Sequence, residues 1–165
     1  MKVTEHYNLS EFSRSATASR LGIDNTIPEA LIPNIRNLCE QILEPLRAHI
    51  NSPSPLGEGR GEAPVVISSG YRCKALNKAV GGVANSQHMM GEAVDIKPPA
   101  NSPEGESLTP QQQRAVVADW AAWIMDNCRF DQLLVEKSGS AVWLHVSCKR
   151  DLSKNRQIMK VVETK

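Results

Sequence analysis

No stretch of this sequence is apolar for the ~20 residues that a membrane-crossing helix needs, because charged and polar side chains interrupt every such window. The opening residues, MKVTEHYNLSEF, hold no basic segment followed by an apolar one. A secretory leader is therefore not expected, and the chain reads as made in the cytoplasm. Aromatic residues are scarce, at 4%, and 19 Lys plus Arg against 18 Asp plus Glu leave a formal net charge of +1. That is too little positive field and too few rings for a protein that holds nucleic acid by phosphate contacts and base stacking. The four cysteines, Cys39, Cys73, Cys128 and Cys148, form no Cys-x-x-Cys, so zinc knuckles and thioredoxin-type redox pairs have no pattern here, and four buried thiols are expected. Also missing are His-Glu-x-x-His, Ser-x-x-Lys, Gly-x-Ser-x-Gly and Gly-x-x-x-x-Gly-Lys. Their absence removes the helical zinc proteases, two kinds of serine acyl-enzyme and the phosphate loop.

What is present suits one domain spanning residues 1–165, with a monomer expected. From Asn34 to Ile50, apolar residues at Ile35, Leu38, Ile42, Leu46 and Ile50 recur in steps of three and four, which predicts a core helix introduced by Pro28 or Pro33. Residues 51–64 follow, with eight of fourteen positions Gly, Pro or Ser, and read as a flexible insertion inside one fold. Val65-Val66-Ile67, ending at Ser-Ser-Gly, has the profile of a buried strand. Helical turns are expected over 74–80, closed by Gly81-Gly82. Thr109-Pro110-Gln111-Gln112 carries an N-cap, a first-turn proline and a capping-box partner for a helix that turns Val116 or Val117, Trp120 and Ile124 inward. Alternation over Asp131–Glu136 and Ala141–Ser147 predicts a hairpin around 137–140. The expected fold class is α+β: a small, mainly antiparallel sheet with helices on one face and a site open on the other.

Two of the four histidines stand in distinctive settings, Ser86-Gln87-His88-Met89-Met90-Gly91-Glu92-Ala93-Val94-Asp95 and Trp143-Leu144-His145-Val146-Ser147. Period-two alternation sends Val94 and Ile96 to one face and Asp95 to the other. In the second segment it sends Val142, Leu144 and Val146 inward and puts Trp143, His145 and Ser147 together on the opposite face. Taken singly, each of these polar residues is equally at home on the surface or as a satisfied core side chain. Taken together, two imidazoles and a carboxylate with a fourth position open are the ligand set of a catalytic zinc site.

The string Ser86-x-His88-x-x-Gly91-x-Ala93-x-Asp95, preceded by Ser69-Gly70-Tyr71-Arg72 and followed by Trp143-x-His145-x-Ser147, resembles the family of zinc D-alanyl-D-alanine carboxypeptidases and L-alanyl-D-glutamate endopeptidases. That family includes bacterial wall enzymes and phage endolysins and shares its fold with the hedgehog signalling domain. Leu9-Ser10-Glu11-Phe12 and Leu43-Glu44-Pro45-Leu46-Arg47 resemble the N-terminal part of its bacterial and phage branch. The likeness spans the chain apart from 51–64 and the last dozen residues.

The resemblance implies one Zn2+ ion on His88, Asp95 and His145. Gly91 and Ala93 would be small because the chain folds closely between the first two ligands. Arg72 matches an arginine that holds the substrate carboxylate or the developing oxyanion, and its planar fork suits that task. Ser86 matches a polar residue that contacts substrate, with a turn-capping hydroxyl as the plainer reading, and Trp143 either shapes a subsite or packs the rim. Many members carry an acid three positions before the last ligand, where this chain has Val142. Glu136 takes its place as expected general base, since alternation sets it with Gln132 and Leu134 across a hairpin from His145, and the hedgehog domain has a glutamate in a similar context. Glu92 is the alternative, although alternation from Asp95 points it to the opposite face.

The implied activity is hydrolysis of a peptide bond in peptidoglycan stem peptides, as carboxypeptidase or endopeptidase. A phage or prophage lysis enzyme would reach its wall substrate without a leader of its own. Two rival classes use the same site: a zinc-binding module of this fold without activity, and a zinc dipeptidase that acts on small peptides.

Overall fold

A computed structural model describes residues 1–52 and 63–164, in the order α1 (Leu9–Ser13), α2 (Ala16–Leu21), α3 (Ile32–Leu38), α4 (Glu44–Ile50), β1 (Val66–Ser69), α5 (Lys74–Ala79), β2 (Ala93–Lys97), α6 (Pro110–Asn127), β3 (Gln132–Ser138), β4 (Ala141–Ser147) and β5 (Ile158–Thr164). The five strands form one sheet in the order β1-β2-β4-β3-β5. All neighbours are antiparallel except β3 and β5, which run parallel. The expected α+β class holds. No described helix is long and apolar enough to cross a membrane.

The predicted 34–50 helix forms as α3 and α4, joined through a π-turn at Cys39–Leu43 in which the Glu44 N–H reaches back to the Cys39 carbonyl. Pro45 explains the interruption. It has no N–H for the Gln41 carbonyl, its ring would crowd that carbonyl in a regular helix, and one residue of slack relieves both. Cys39 and Leu43 are buried completely alongside the predicted Leu38, Ile42 and Leu46. Each such large aliphatic side chain contributes roughly 1.5–3 kcal/mol on burial. The α6 start carries the Thr109/Gln112 capping box read from the sequence, and Val117, Trp120 and Ile124 enter the core.

Helices α3, α4 and α6 cover one sheet face, where Val94, Ile96, Leu133, Val135, Leu144 and Val146 are almost wholly buried. The other face of the same strands carries Asp95, His145 and Glu136. Strands β3 and β4 meet at Gly139-Ser140, with Ser138 paired to Ala141. The Asn51 side chain donates to the Ala63 carbonyl at 3.0 Å and accepts the Ala63 N–H at 2.7 Å. Most of the expected insertion, residues 53–62, lies outside the described residues. The cysteines depart from expectation: Cys39 and Cys148 are buried, but Cys73 and Cys128 are half-buried. Cys73 sits at the N-cap of α5, where its sulfur accepts the Leu76 N–H.

Strand β5 has no counterpart in the sequence reading. It is an edge strand fixed at its start by Asp131, a fully buried carboxylate that accepts from the Arg156 backbone N–H at 2.9 Å, Nε at 3.0 Å and Nη2 at 2.7 Å. The Arg156 side-chain bond, working against burial and joined by the Arg156 N–H and the Lys149 and Arg156 charges, lowers the Asp131 pKa to about 2. A folded-state value below the unfolded one means that this stability is present above the ordinary carboxylate pKa and disappears as pH falls toward 2. Asp131→Asn should therefore lower stability at pH 7 by ~1–2 kcal/mol, allowing for the exposure of Arg156. Urea unfolding at several pH values should show that deficit shrinking between pH 4 and pH 2, and a deficit that stays constant would assign it to packing instead.

Candidate metal centre

Three different elements bring the site together. Asp95 on β2 and His145 on β4 are directly paired across the ladder, so both side chains stand on the same face. His88 comes from a 3-10 turn, Gln87–Met90, that ends at Gly91 with φ +68°. A Cβ at Gly91 would also stand 3.1 Å from Ile35 Cγ1, so conformation and space both call for glycine there.

The donor atoms converge. His145 Nδ1 lies 2.9 Å from Asp95 Oδ1, and His88 Nε2 lies 3.4 Å from the same oxygen. One ligand atom from each of the three residues falls within 4.8 Å of the others, and all three residues are buried. Zinc–ligand bonds of ~2.0–2.1 Å would hold tetrahedral donors roughly 3.3 Å apart, so the residues present fit such an ion. The orientation of His88 supports this fit. Its Nδ1 is 2.7 Å from the Gly70 carbonyl, which can only accept, so the proton sits on Nδ1 and the Nε2 lone pair faces Asp95.

Gly70 can supply that carbonyl because it lacks a side chain. A Cβ there would be 2.6 Å from the Phe12 Cα and carbonyl oxygen, and the neighbouring Tyr71 N–H donates to that same oxygen at 2.7 Å. Asn25, which is buried, completes the support: its Nδ2 donates to the Ser13 and Tyr71 carbonyls, and its Oδ1 accepts the Cys73 N–H. The sequence reading quoted Gly70 without a role and passed over Asn25. Only a loop of opposing backbone donors and acceptors reveals what they do.

Burial works to raise the Asp95 pKa, but the hydrogen bond with His145 and the proximity of His88 keep it well below the ordinary carboxylate range. Arg72 Nη2 approaches Asp95 Oδ2 at 3.3 Å and its Nε donates to Ser69 Oγ at 3.2 Å. Glu136 shifts the other way: burial and then the Asp95 charge raise its pKa, against the opposing influence of His145, Trp143 and His88. It pairs with Trp143 in the β3–β4 ladder, while Leu134 pairs with His145. Glu136 thus stands one pleat from His145 on the same face.

These groups floor an open cleft of about 1020 Å3 whose lining includes His88, Asp95, His145, Glu136, Arg72 and Ser86. The Ser86 hydroxyl accepts the His88 N–H at 3.3 Å, so it performs the capping role. Trp143 is the sequence-predicted site residue that does not reach this cleft. It lines a neighbouring hollow with Ser68, Lys97 and Gln113, and stands directly across the β3–β4 ladder from Glu136. Glu92 corrects the sequence reading: it stands just before β2, and although alternation points it away from the face of Asp95, it is among the residues that line the cleft.

An α+β sheet whose open face carries a buried His–Asp–His group at the floor of a cleft is a layout suited to metal-assisted hydrolysis. The chain belongs to the peptidase M15 family, whose model matches residues 5–127, and is thereby placed among the metallopeptidases. The matched span includes His88 and Asp95, while Glu136 and His145 lie beyond it. No curated protein matches the chain.

Two substitutions separate the ligand from its support. His88→Ala should abolish zinc binding measured by chelator competition, whereas Gly70→Ala, which must displace the Phe12 backbone or its own carbonyl, should weaken zinc about 10- to 100-fold and lower the melting temperature. Unchanged affinity and melting temperature in Gly70→Ala would show that the close approach does not set the His88 ring.

Proposed function

We propose that the protein hydrolyses a peptide bond in peptidoglycan stem peptides, with one zinc ion held by His88 Nε2, Asp95 Oδ1 and His145 Nδ1. The observation that carries this reading is the convergence of those atoms on the floor of a peptide-sized cleft within one pleat of Glu136. A bound zinc ion would supply a Lewis acid that polarises the scissile carbonyl and makes nearby water more acidic.

The chain's own groups do the rest. Glu136, half-buried and with raised proton affinity, takes a proton from the attacking water on a carboxylate oxygen and delivers it to the leaving amine nitrogen. Trp143, directly paired with Glu136 in the β3–β4 ladder, flanks that carboxylate. Arg72, tied to Ser69 and Asp95, offers its fork to the carbonyl oxygen as charge develops or to a substrate carboxylate. Ser86, after accepting the His88 N–H, still has a hydroxyl proton to donate to substrate.

The test is mass spectrometry of purified peptidoglycan and synthetic stem peptides incubated with zinc-loaded, chelated and Glu136→Gln protein. Zinc-loaded protein should cleave, and the product masses will name the bond and separate carboxypeptidase from endopeptidase. Glu136→Gln should retain zinc and lose about 10²- to 10⁴-fold in rate, the usual worth of a general base. Full activity in Glu136→Gln would remove it from the mechanism, and no cleavage by folded, zinc-loaded protein would sink the proposal.

A further inference from the structure

Past the metal-binding group, the cleft continues along β2 and β4 to an end with different chemistry. The ladder runs one rung beyond the Ala93–Ser147 pair, with the Cys148 N–H donating to the Glu92 carbonyl at 2.9 Å. That rung sets Glu92 opposite Cys148, and Lys149, the next residue, lines the cleft together with Glu92 and Arg156, near enough for its charge to act on Glu92.

The charges at this end are unevenly committed. Arg156 spends Nε and Nη2 on buried Asp131, whose two oxygens are thereby occupied. Lys149 Nζ stands 3.7 Å from Asp131 Oδ1, too far for a hydrogen bond, so that contact takes up none of its three donors. Glu92 is half-buried, and among the described residues it forms no ion pair with Lys149. Burial raises its pKa, against the nearby Gln87 amide and the Lys149 charge. A simple anion drawn to Lys149 would meet repulsion from Glu92, and a simple cation the converse. A ligand with both charges on adjacent atoms satisfies both.

We propose that Glu92 and Lys149 form a subsite for a free amino-acid head group, the substrate ammonium meeting Glu92 and the substrate carboxylate meeting Lys149 with Arg156 behind it. This deepens the proposed function and rests on it for the bond that is cleaved. The spacing sets where the head group lies. Three residue steps lead from Asp95 back to Glu92, about 10 Å at ~3.3 Å per step. That is the reach of a long side chain on a residue adjacent to the scissile bond, or of about three extended residues. A diamino dicarboxylic acid within a stem peptide presents such a head at the end of its side chain.

The test measures binding separately from turnover. Zinc-loaded Glu136→Gln protein is titrated by calorimetry with three stem peptides that differ only at the third residue: diaminopimelate with its side-chain head free, with that carboxylate amidated, and with that amine acetylated. The free head should bind about tenfold tighter than either blocked form, the worth of one charge-assisted contact. Adding Lys149→Met should erase the preference over the amidated peptide alone, adding Glu92→Gln should erase the preference over the acetylated peptide alone, and Lys149→Arg should restore the first. A merely structural role would not split the preferences in this way.

Equal binding of the three peptides, binding of none, or uniform weakening by both variants would overturn the subsite. Parallel cleavage assays with wild-type protein keep the two proposals apart. Cleavage without preference sinks only the subsite, whereas selective binding without cleavage by the wild type sinks the proposed reaction and leaves the subsite standing.

Discussion

The pairing of β2 with β4, in which Asp95 lies directly opposite His145, is the constraint on which the rest of the site depends. A slip of β2 by one residue would turn Asp95 into the core, bring Val94 and Ile96 to the cleft and part Asp95 from His145, so the apolar positions fix the ligands as firmly as any contact between the ligands themselves. Val94, Ile96, Leu144 and Val146, each fully buried beneath the helices, hold that register. The metal-binding geometry is thus secured by hydrophobic burial on the far side of the same strands.

His88 is held differently. It lies in a tight turn, and its ring is aimed by a backbone carbonyl whose own place depends on the approach of Gly70 to Phe12 and on the three hydrogen bonds of Asn25. The N-terminal helices, which contribute no ligand, therefore serve the site by bracing the 70–73 loop. A rigid sheet supplies two donors and a braced loop the third, an arrangement that holds the outer hydrogen bonds of the ligands as well as the ligands.

Much of this was legible in the sequence where a short period applied. The alternation in 93–96 and 142–147 placed Asp95 and His145 correctly, and the capping box at Thr109 marked the start of α6. The resemblance to zinc peptidases drew His88 into the same set. The π-turn at Cys39–Leu43 was not legible because regular helical spacing carries through it, although Pro45 was the available signal. Strand β5 escaped because it is an exposed edge with little alternation and owes its place to a distant carboxylate, Asp131. Glu92 was misplaced because a period-two rule was carried past the end of its strand. Asn25 and Gly70 act through backbone groups, and a side-chain pattern does not report those.

The cleft floor also shows how one set of charges serves two states. A buried carboxylate without a partner costs several kcal/mol, and removing one member of a buried pair commonly costs about 3–5 kcal/mol. Asp95 meets the Arg72 guanidinium and His145 Nδ1 at once, so its carboxylate has partners before any ion arrives. That arrangement leaves Glu136 facing a negative neighbour from a half-buried position, which is why its proton affinity is raised. A divalent cation among the three ligands would reverse the sign of that influence, because it would be the largest charge nearby. Burial would remain. The proton affinity of Glu136 is therefore set by two quantities, depth in the sheet and charge at the floor, which act together while Asp95 is the nearest charge and would oppose each other with a cation among the ligands.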